Sequence, residues 1–492
     1  MSSPKQRCLT GIPGLDDVLH GGLVPDRLYL IEGDPGAGKT TLALQYLLEG
    51  KRRGETGLYL TLSETKEELI AGAASHGWSL DGIELVELVP RDAGFDEESR
   101  LTMFNPSEVD LGETTQAVLA AVKQSNPTRV VFDSLSEMRL LAQSSLRYRR
   151  QILALKQFFA GRACTVLLLD DGTSEGPDLQ LQSIAHGVIK LEQLAPDYGG
   201  DRRRLRVVKY RGTNFRGGYH DFVVAEEGVN VFPRLVAAEH RSDLPIEPIR
   251  SGVEALDALL GGGPHRGTST LFLGPAGSGK STVAMQYAVA AARRGEHAVV
   301  FAFDELARTL IARSQHIGMP FEEGRGPGQI CVRQVDPSEL SPGEFAHLVR
   351  ESVERDHATV VVIDSLNGYL NAMTQERYLT AQLHELLAYL GERGVCTIMV
   401  VAQHGLVGGN METPVDTSYL ADSVLLFRFF EDAGRVKRAM SVIKKRSGPH
   451  EDTIRELRTG PGGITLSPPL TDFQGVLMGV PQRLSKPPSA SA

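Results

Sequence analysis

A chain of 492 residues exceeds one ordinary core, and length alone would suggest roughly three domains. With 41% hydrophobic and 23% charged residues it reads as globular rather than disordered, and a formal net charge of −9 excludes wholesale coating of nucleic acid while leaving room for a local basic channel. No apolar run approaches the roughly 18 to 20 residues of a membrane span, and "MSSPKQRCLTG" lacks the apolar core of a secretory signal, so a cytoplasmic location is expected.

Four cysteines, Cys8, Cys164, Cys331 and Cys396, show no paired spacing, so neither a zinc site nor a disulfide framework is expected. Cys164 and Cys396 each open an apolar run, "CTVLLLD" and "CTIMVVA", and read as small buried residues.

Along the chain, "TGIPGLDDVLHGGL" leads into the apolar run "LYLIEG" and then the glycine-rich "GDPGAGKTT", which is Gly33, Asp34, Pro35, Gly36, Ala37, Gly38, Lys39, Thr40 and Thr41. This is G-x-x-x-x-G-K-[ST]: glycines let the backbone curl around phosphates and present N–H groups, which a Cβ would obstruct. Lys39 would charge-match the β- and γ-phosphates, Thr40 would put a hydroxyl on Mg²⁺, and the following helix adds its positive end. ATP and Mg²⁺ are therefore the expected ligands.

The run "GLYLTL" ends at Ser63-Glu64, where a carboxylate can hold or deprotonate an attacking oxygen. Capping of the next helix is the competing reading, since Thr65 and Glu68 fit a capping box. "RVVFDSL" then offers Asp133, a strand-end carboxylate suited to a phosphate-bound metal. "RYRR" at Arg147 to Arg150 and "RRR" at Arg202 to Arg204 are short basic stretches, the first readable as the solvated face of a helix. The late strand "RLRVVKYRG" sets Lys209 and Arg211 on one face by alternation. They fit either a cation pair aimed at a neighbouring subunit's γ-phosphate or the solvated lysines of an edge strand.

Near Ala237 to Glu247, "AAEHRSDLPIE" loses both periodicities and marks a boundary. Beyond it the unit repeats. An offset of 241 lays "SGVEALDALLGGGP" on the first motif and "GPAGSGKST" on the first loop: Gly274, Pro275, Ala276, Gly277, Ser278, Gly279, Lys280, Ser281 and Thr282. Asp304-Glu305 takes the place of Ser63-Glu64, Asp364 in "VVVIDSL" that of Asp133, and Lys444 with Arg446 that of the late basic pair. A second copy kept only as structure would lose its key residues; both phosphate loops are intact. The strands are apolar at successive positions, as in parallel strands covered on both faces, which gives an α/β fold in two copies. The expected division is 1–240, 241–470 and a partly disordered tail, 471–492, ending in "LSKPPSASA".

Two phosphate loops, each followed by a strand-end glutamate, an aspartate-serine-leucine and a late K-x-R strand, resemble the RecA-like superfamily, and the tandem arrangement is similar to the KaiC family of ring ATPases. "KYRGTNFRGGYHDFVVAEEGVNVFP" resembles the end of that family's first domain and "HEDTIREL" the end of its second, so the likeness runs from about Thr10 to Pro468. It implies two tandem RecA-like P-loop domains, each a largely parallel twisted sheet flanked by helices, assembled as a homohexameric double ring with ATP between subunits. The first ring would hydrolyse ATP with Glu64 as catalytic glutamate. The second, with Asp304 and Glu305 matching the family's paired glutamates, would hydrolyse ATP or phosphorylate the protein itself. Thr40, Asp133, Ser281 and Asp364 would serve the metal, and Lys209, Arg211, Lys444 and Arg446 would reach the adjacent subunit's ATP. The acceptor positions fall at Ser418 and Tyr419, with Thr417 just before, so Ser418 and Thr417 are the candidate phosphosites. Signalling partners, KaiB-like or a histidine kinase, follow from the same resemblance. A DNA-dependent motor and an ATP-gated scaffold with little turnover are the alternatives; the first would want a longer basic, aromatic-interleaved groove.

Overall fold

The structure, a computed structural model, describes residues 6–88, 106–142, 144–172, 179–196, 199–241, 245, 247–372, 379–403, 419–477 and 481–484. The chain divides into two compact units, Met1–Arg234 and Leu235–Ala492.

The first unit runs α1 (Pro13–Val18), β1 (Leu28–Gly33), α2 (Lys39–Arg52), β2 (Gly57–Thr61), α3 (Lys66–Ser75), β3 (Ile83–Glu87), α4 (Pro106–Ser125), β4 (Arg129–Asp133), α5 (Leu135–Ala142), α6 (Ser145–Phe159), β5 (Thr165–Asp170), α7 (Leu179–Ile184), β6 (Gly187–Leu194), β7 (Arg202–Tyr210), β8 (His220–Ala225) and β9 (Gly228–Phe232). The second repeats it with α8 (Glu254–Leu259), β10 (Ser269–Gly274), α9 (Lys280–Arg293), β11 (His297–Ala302), α10 (Ala307–His316), β12 (Ile330–Gln334), α11 (Pro342–Glu354), β13 (Ala358–Asp364), α12 (Leu366–Ala372), α13 (Leu379–Glu392), β14 (Cys396–Ala402), β15 (Ser423–Asp432), β16 (Arg435–Lys445), β17 (Arg455–Gly460) and β18 (Gly463–Pro469).

Each unit holds a nine-stranded sheet among its described residues, in the orders β3-β2-β4-β5-β1-β6-β7-β8-β9 and β12-β11-β13-β14-β10-β15-β16-β17-β18. Strands from β3 through β6 pair in parallel, and β7, β8 and β9 add an antiparallel extension. The α/β class and the largely parallel sheet stand as expected from the unbroken apolar runs. Those runs are explained by burial on both faces. In β1, Tyr29 and Ile31 join one cluster with Tyr59, Val131 and Leu167, while Leu28 and Leu30 join another with Leu58, Val130 and Phe132. A strand whose successive side chains enter two different cores has no polar face to show.

The division between units falls a few residues ahead of the aperiodic stretch at 237–247. Leu235 and Ala237 bury in the second unit's core, and the 3₁₀ turn Ala237–His240 sits on α13, with the His240 ring 4.9 Å from that of Tyr389. The region expected as a tail is also structured in part. Phe473–Gln474 pairs with Gln482–Arg483, and Val476 packs with Phe430 and Ala439. "LSKPPSASA" lies outside the described residues from Ser485 onward. All four cysteines are free and buried, Cys164 and Cys396 as their apolar runs suggested.

Candidate functional site

Each glycine-rich loop leaves the end of β1 or β10, where the next strand in sequence lies elsewhere in the sheet and opens a crevice at the carboxyl ends of the parallel strands. Gly38 and Gly279 take φ of 97° and 101°, a left-handed turn that puts Lys39 and Lys280 at the first position of α2 and α9. Both lysines are buried and curl back onto their loops. The Lys39 ammonium donates to the Gly33 and Asp34 carbonyls at 2.7 and 2.9 Å, and that of Lys280 to Gly274 and Pro275 at 2.8 and 2.7 Å.

Around the first loop, carboxylates converge. Asp133, at the end of β4, accepts a 2.6 Å hydrogen bond from the Tyr59 phenol and another from the Ser63 hydroxyl. Burial lifts its carboxyl above the usual range and Asp171 adds to this, with Tyr59, Lys39 and Ser63 pulling the other way. Glu64 accepts from the Thr40 hydroxyl; burial, then Asp133 and Glu68, raise it too. The Thr61 hydroxyl fixes the turn that presents Glu64, accepting from its amide at 2.9 Å and donating to its carbonyl at 2.8 Å. The capping box on α3 is formed by Thr65 and Glu68, so the cap is made without the Glu64 carboxylate. Two raised carboxyls beside a buried lysine and a hydroxyl form an oxygen-only donor set. Such a set fits a hard cation that keeps most of its water and phosphate ligands.

The second loop has the same frame with different fittings. Asp364 accepts from the Ser281 hydroxyl and is raised chiefly by burial, with Arg313 and Lys280 drawing it down. Asp304 accepts from the Ser365 hydroxyl, and Glu305 pairs with Arg313 at 3.0 Å. The Ser278 hydroxyl closes the loop on the Pro275 carbonyl at 2.8 Å, where the first unit has the methyl of Ala37. Thr41 and Thr282 follow in the first turns of α2 and α9.

The family model for "ATPase: KaiC" matches residues 8–236 and again 249–471. The chain belongs to the KaiC family. It is 26% identical over 488 residues to the circadian clock oscillator protein KaiC of Picosynechococcus sp., covering 98% of this chain and 93% of that one. Over 478 residues it is 26% identical to the circadian clock protein KaiC3 of Synechocystis sp., covering 96% and 94%. The KaiC of Synechococcus elongatus is 25% identical over 486 residues, covering 97% and 92%. The KaiC resemblance and the tandem RecA-like architecture are thus established, and with them membership of an ATPase family.

The late basic pairs sit at the far end of the sheet from their own loops. Lys209 is in register with Val188, and Val188 with Leu30, three residues or about 10 Å before Gly33. The Arg211 amide reaches the His186 carbonyl, further out still. In the second unit Lys444 is level with Val424 and Leu271, and the Arg446 amide bonds the Asp422 carbonyl. The Lys209 and Lys444 backbones thus lie about 10 Å short of the loop of their own unit. In each strand one residue bulges out just before the lysine, Val208 or Ile443, and both are exposed. Lys209 and Arg211 share the Ser183 carbonyl at 3.3 and 2.6 Å, which places them on one face as alternation suggested. Burial, then Arg211 and Lys156, lower the Lys209 ammonium. Lys444 and Arg446 reach the Ala421 and Tyr419 carbonyls at 2.7 and 3.3 Å. β8 pairs only with Arg203–Leu205, so the Lys209 end of β7 runs past its neighbour.

Ser418 and Thr417 lie outside the described residues; the adjacent Tyr419 is exposed. Arg147, Arg149 and Arg150 are exposed on α6 around the buried Tyr148, while Arg204 pairs with Glu192 at 2.9 Å and stacks on Tyr219. Among the described residues no helix is long and apolar enough to cross a membrane.

Three residues near the loops escaped the sequence reading. Asp171 follows β5 and ion-pairs Lys39 at 2.8 Å; burial alone would raise its carboxyl, but Lys39 and the hydroxyls of Ser136 and Ser134 hold it below the usual range. Tyr59 sits inside an apolar run and reads as core. Arg313 lies eight positions after Glu305 on another element. A second carboxylate after "CTVLLLD" was the one visible hint.

Proposed function

We propose that the chain is an ATP-driven regulatory ring protein in which both units bind Mg-ATP and the first hydrolyses it. The observation that carries the reading is Glu64, raised by burial and held by the Thr40 hydroxyl beside Asp133 and Lys39. In hydrolysis Glu64 would accept a proton from water as its oxygen attacks the γ-phosphorus, the bond to the bridging oxygen breaks, and ADP leaves with phosphate. Mg²⁺, when bound, would neutralise charge on the β- and γ-phosphates; Thr40 with Asp133, and Ser281 with Asp364, are the residues suited to hold it. Lys39 and Lys280 would bind the phosphates.

The placement of Lys209, Arg211, Lys444 and Arg446 away from their own loops supports a reading in which each serves the ATP of the next subunit. Such pairing between neighbours fits a closed ring, which we take to be a homohexamer in the cytoplasm. In the second unit, with Asp304 and Glu305, γ-phosphate would pass to water or to Ser418 or Thr417. Signalling partners of the KaiB or histidine-kinase type fit this role. The DNA-motor reading gains nothing from the arginines paired within β6 and β7.

Incubation of purified protein with γ-labelled ATP tests the proposal. Free labelled phosphate that is lost in Glu64→Gln supports hydrolysis in the first unit. Label retained on the protein and lost in Ser418→Ala or Thr417→Ala adds the kinase step. No release of phosphate by the intact protein would refute the reading. Lys39→Ala should block ATP-dependent assembly while Lys280→Ala leaves the ring intact; equal loss in both contradicts that division.

A further inference from the structure

The two units place one glutamate each at the same point, two residues ahead of α3 and of α10, yet only one of the two glutamates is tied. Arg313, the seventh residue of α10, reaches back to Glu305 Oε2 at 3.0 Å with its Nη1. Its Nε and Nη2 are buried without a hydrogen-bond partner among the described residues, so its one hydrogen-bonding ion pair there is with Glu305, while its charge also draws down the nearby Asp364. Both partners are only partly exposed, at 34% and 27%, which makes the pair less screened than one on an open surface. The seventh residue of α3 is Gly72, which has no side chain, and Glu64 instead takes the Thr40 hydroxyl at the phosphate loop.

We infer that Arg313 is a positioning residue that restrains Glu305, so that the second site binds ATP but cleaves it more slowly than the first. The inference rests on the reading of Glu305 as the group that accepts water's proton. A carboxylate paired with a guanidinium is a weaker acceptor for that proton, and the ion pair fixes the orientation of the Glu305 side chain. Arg313 makes no hydrogen bond to Lys280 or Ser281 among the described residues and reaches Asp364 only through its field, so nucleotide affinity should change little with it. A second site built this way would hold its γ-phosphate long enough for the bound state, rather than its turnover, to carry information to a partner or an acceptor hydroxyl.

The test uses the full-length chain carrying Glu64→Gln, which silences the first site. Single-turnover cleavage of γ-labelled ATP and binding of a fluorescent ATP analogue are measured with and without Arg313→Gln. The expected result is cleavage faster by about tenfold, a fraction of what a general base supplies, with affinity unchanged within twofold and the gain abolished by adding Glu305→Gln. Arg313→Lys, which keeps the charge but not the fork, should fall between. In the otherwise native chain, Gly72→Arg should slow the first site; a Cβ there meets nothing within 4 Å, so the fold accommodates it. Unchanged or slower cleavage in Arg313→Gln overturns the inference. A drop in affinity instead makes Arg313 a phosphate ligand and equally overturns it. If Glu305→Gln has no effect in any background, the underlying assignment of Glu305 fails, and the inference with it, a result separable from the first by the Glu305 variant alone.

Discussion

The two phosphate sites share a backbone and differ in which charged residue is held. In the first unit an acidic residue holds the lysine: Asp171 pairs with Lys39, and Glu64 is left beside Thr40. In the second a basic residue holds the glutamate: Arg313 pairs with Glu305, and Lys280 has carbonyl partners only among the described residues, because Gln403 stands where Asp171 would. The Gln403 side chain is spent on Arg428 at 3.0 Å. Duplication preserved the loop that binds and changed the residues that decide what happens next. A motif therefore reports binding, while the rate is set by neighbours up to eight positions away or on another strand.

The largest expected effect breaks the comparison across subunits. Arg211→Ala should lower first-site turnover by about a thousandfold, the scale of a trans cation at a γ-phosphate. Mixing it with Glu64→Gln chains should restore measurable phosphate release, because one interface then pairs an intact Glu64 site with an intact arginine. No recovery on mixing would place the arginine's role within its own subunit.

Next comes pH at the second site. Burial brings the Lys280 ammonium down to about 8 from its ordinary 10.5, with Asp364 opposing in part. A lowered lysine means the nucleotide-free fold binds fewer protons than the unfolded chain between pH 8 and 10.5, so the second unit gains stability as pH rises through that window. Below it the buried charge costs about 1–3 kcal/mol, and Lys280→Met should raise the melting temperature of the nucleotide-free protein at pH 7. ATP affinity should move the opposite way, falling up to about tenfold per unit above pH 8, because binding must first return the proton. Isothermal titration of a Lys39→Ala chain at pH 7, 8 and 9 measures it.

A smaller effect exchanges the two latches. Asp171→Asn frees Lys39 and should tighten nucleotide binding at the first site by about fivefold, the worth of a partly exposed ion pair. Gln403→Asp should weaken the second site by a similar factor. The smallest is Thr65→Ala, which removes a cap worth about 1 kcal/mol from α3 and should lower stability while leaving turnover nearly intact, since Glu64 is held by Thr61 and Thr40 rather than by the cap.

Much of this architecture was readable before any coordinates. Two intact phosphate loops at one offset, strand-end aspartates and unbroken apolar runs carried the fold, because glycine at a left-handed turn and apolarity on both strand faces are local demands. Asp171 was hidden because one acid after a strand is indistinguishable from an ordinary loop start until Lys39 is seen 2.8 Å away. Tyr59 was hidden inside an apolar run, its phenol used only by a neighbouring strand. Arg313 was hidden because Glu305 precedes the helix that carries it, so no helical spacing rule joins them. The junction after Arg234 is faint in the sequence, since Leu235 and Ala237 are short apolar contributions to a core whose other members lie more than 30 residues on. The ordered part of the tail is not legible in the sequence because Phe473 and Val476 find their partners on other strands rather than nearby in the chain.

The most direct measurement is phosphate release from full-length protein in three forms: unmodified, Glu64→Gln and Glu305→Gln, under saturating Mg-ATP. If the first site is the free catalyst and the second the restrained one, Glu64→Gln removes most of the release, by about a hundredfold at that site, while Glu305→Gln leaves most of it in place. Equal losses in the two variants, or a larger loss in Glu305→Gln, would contradict the division of labour.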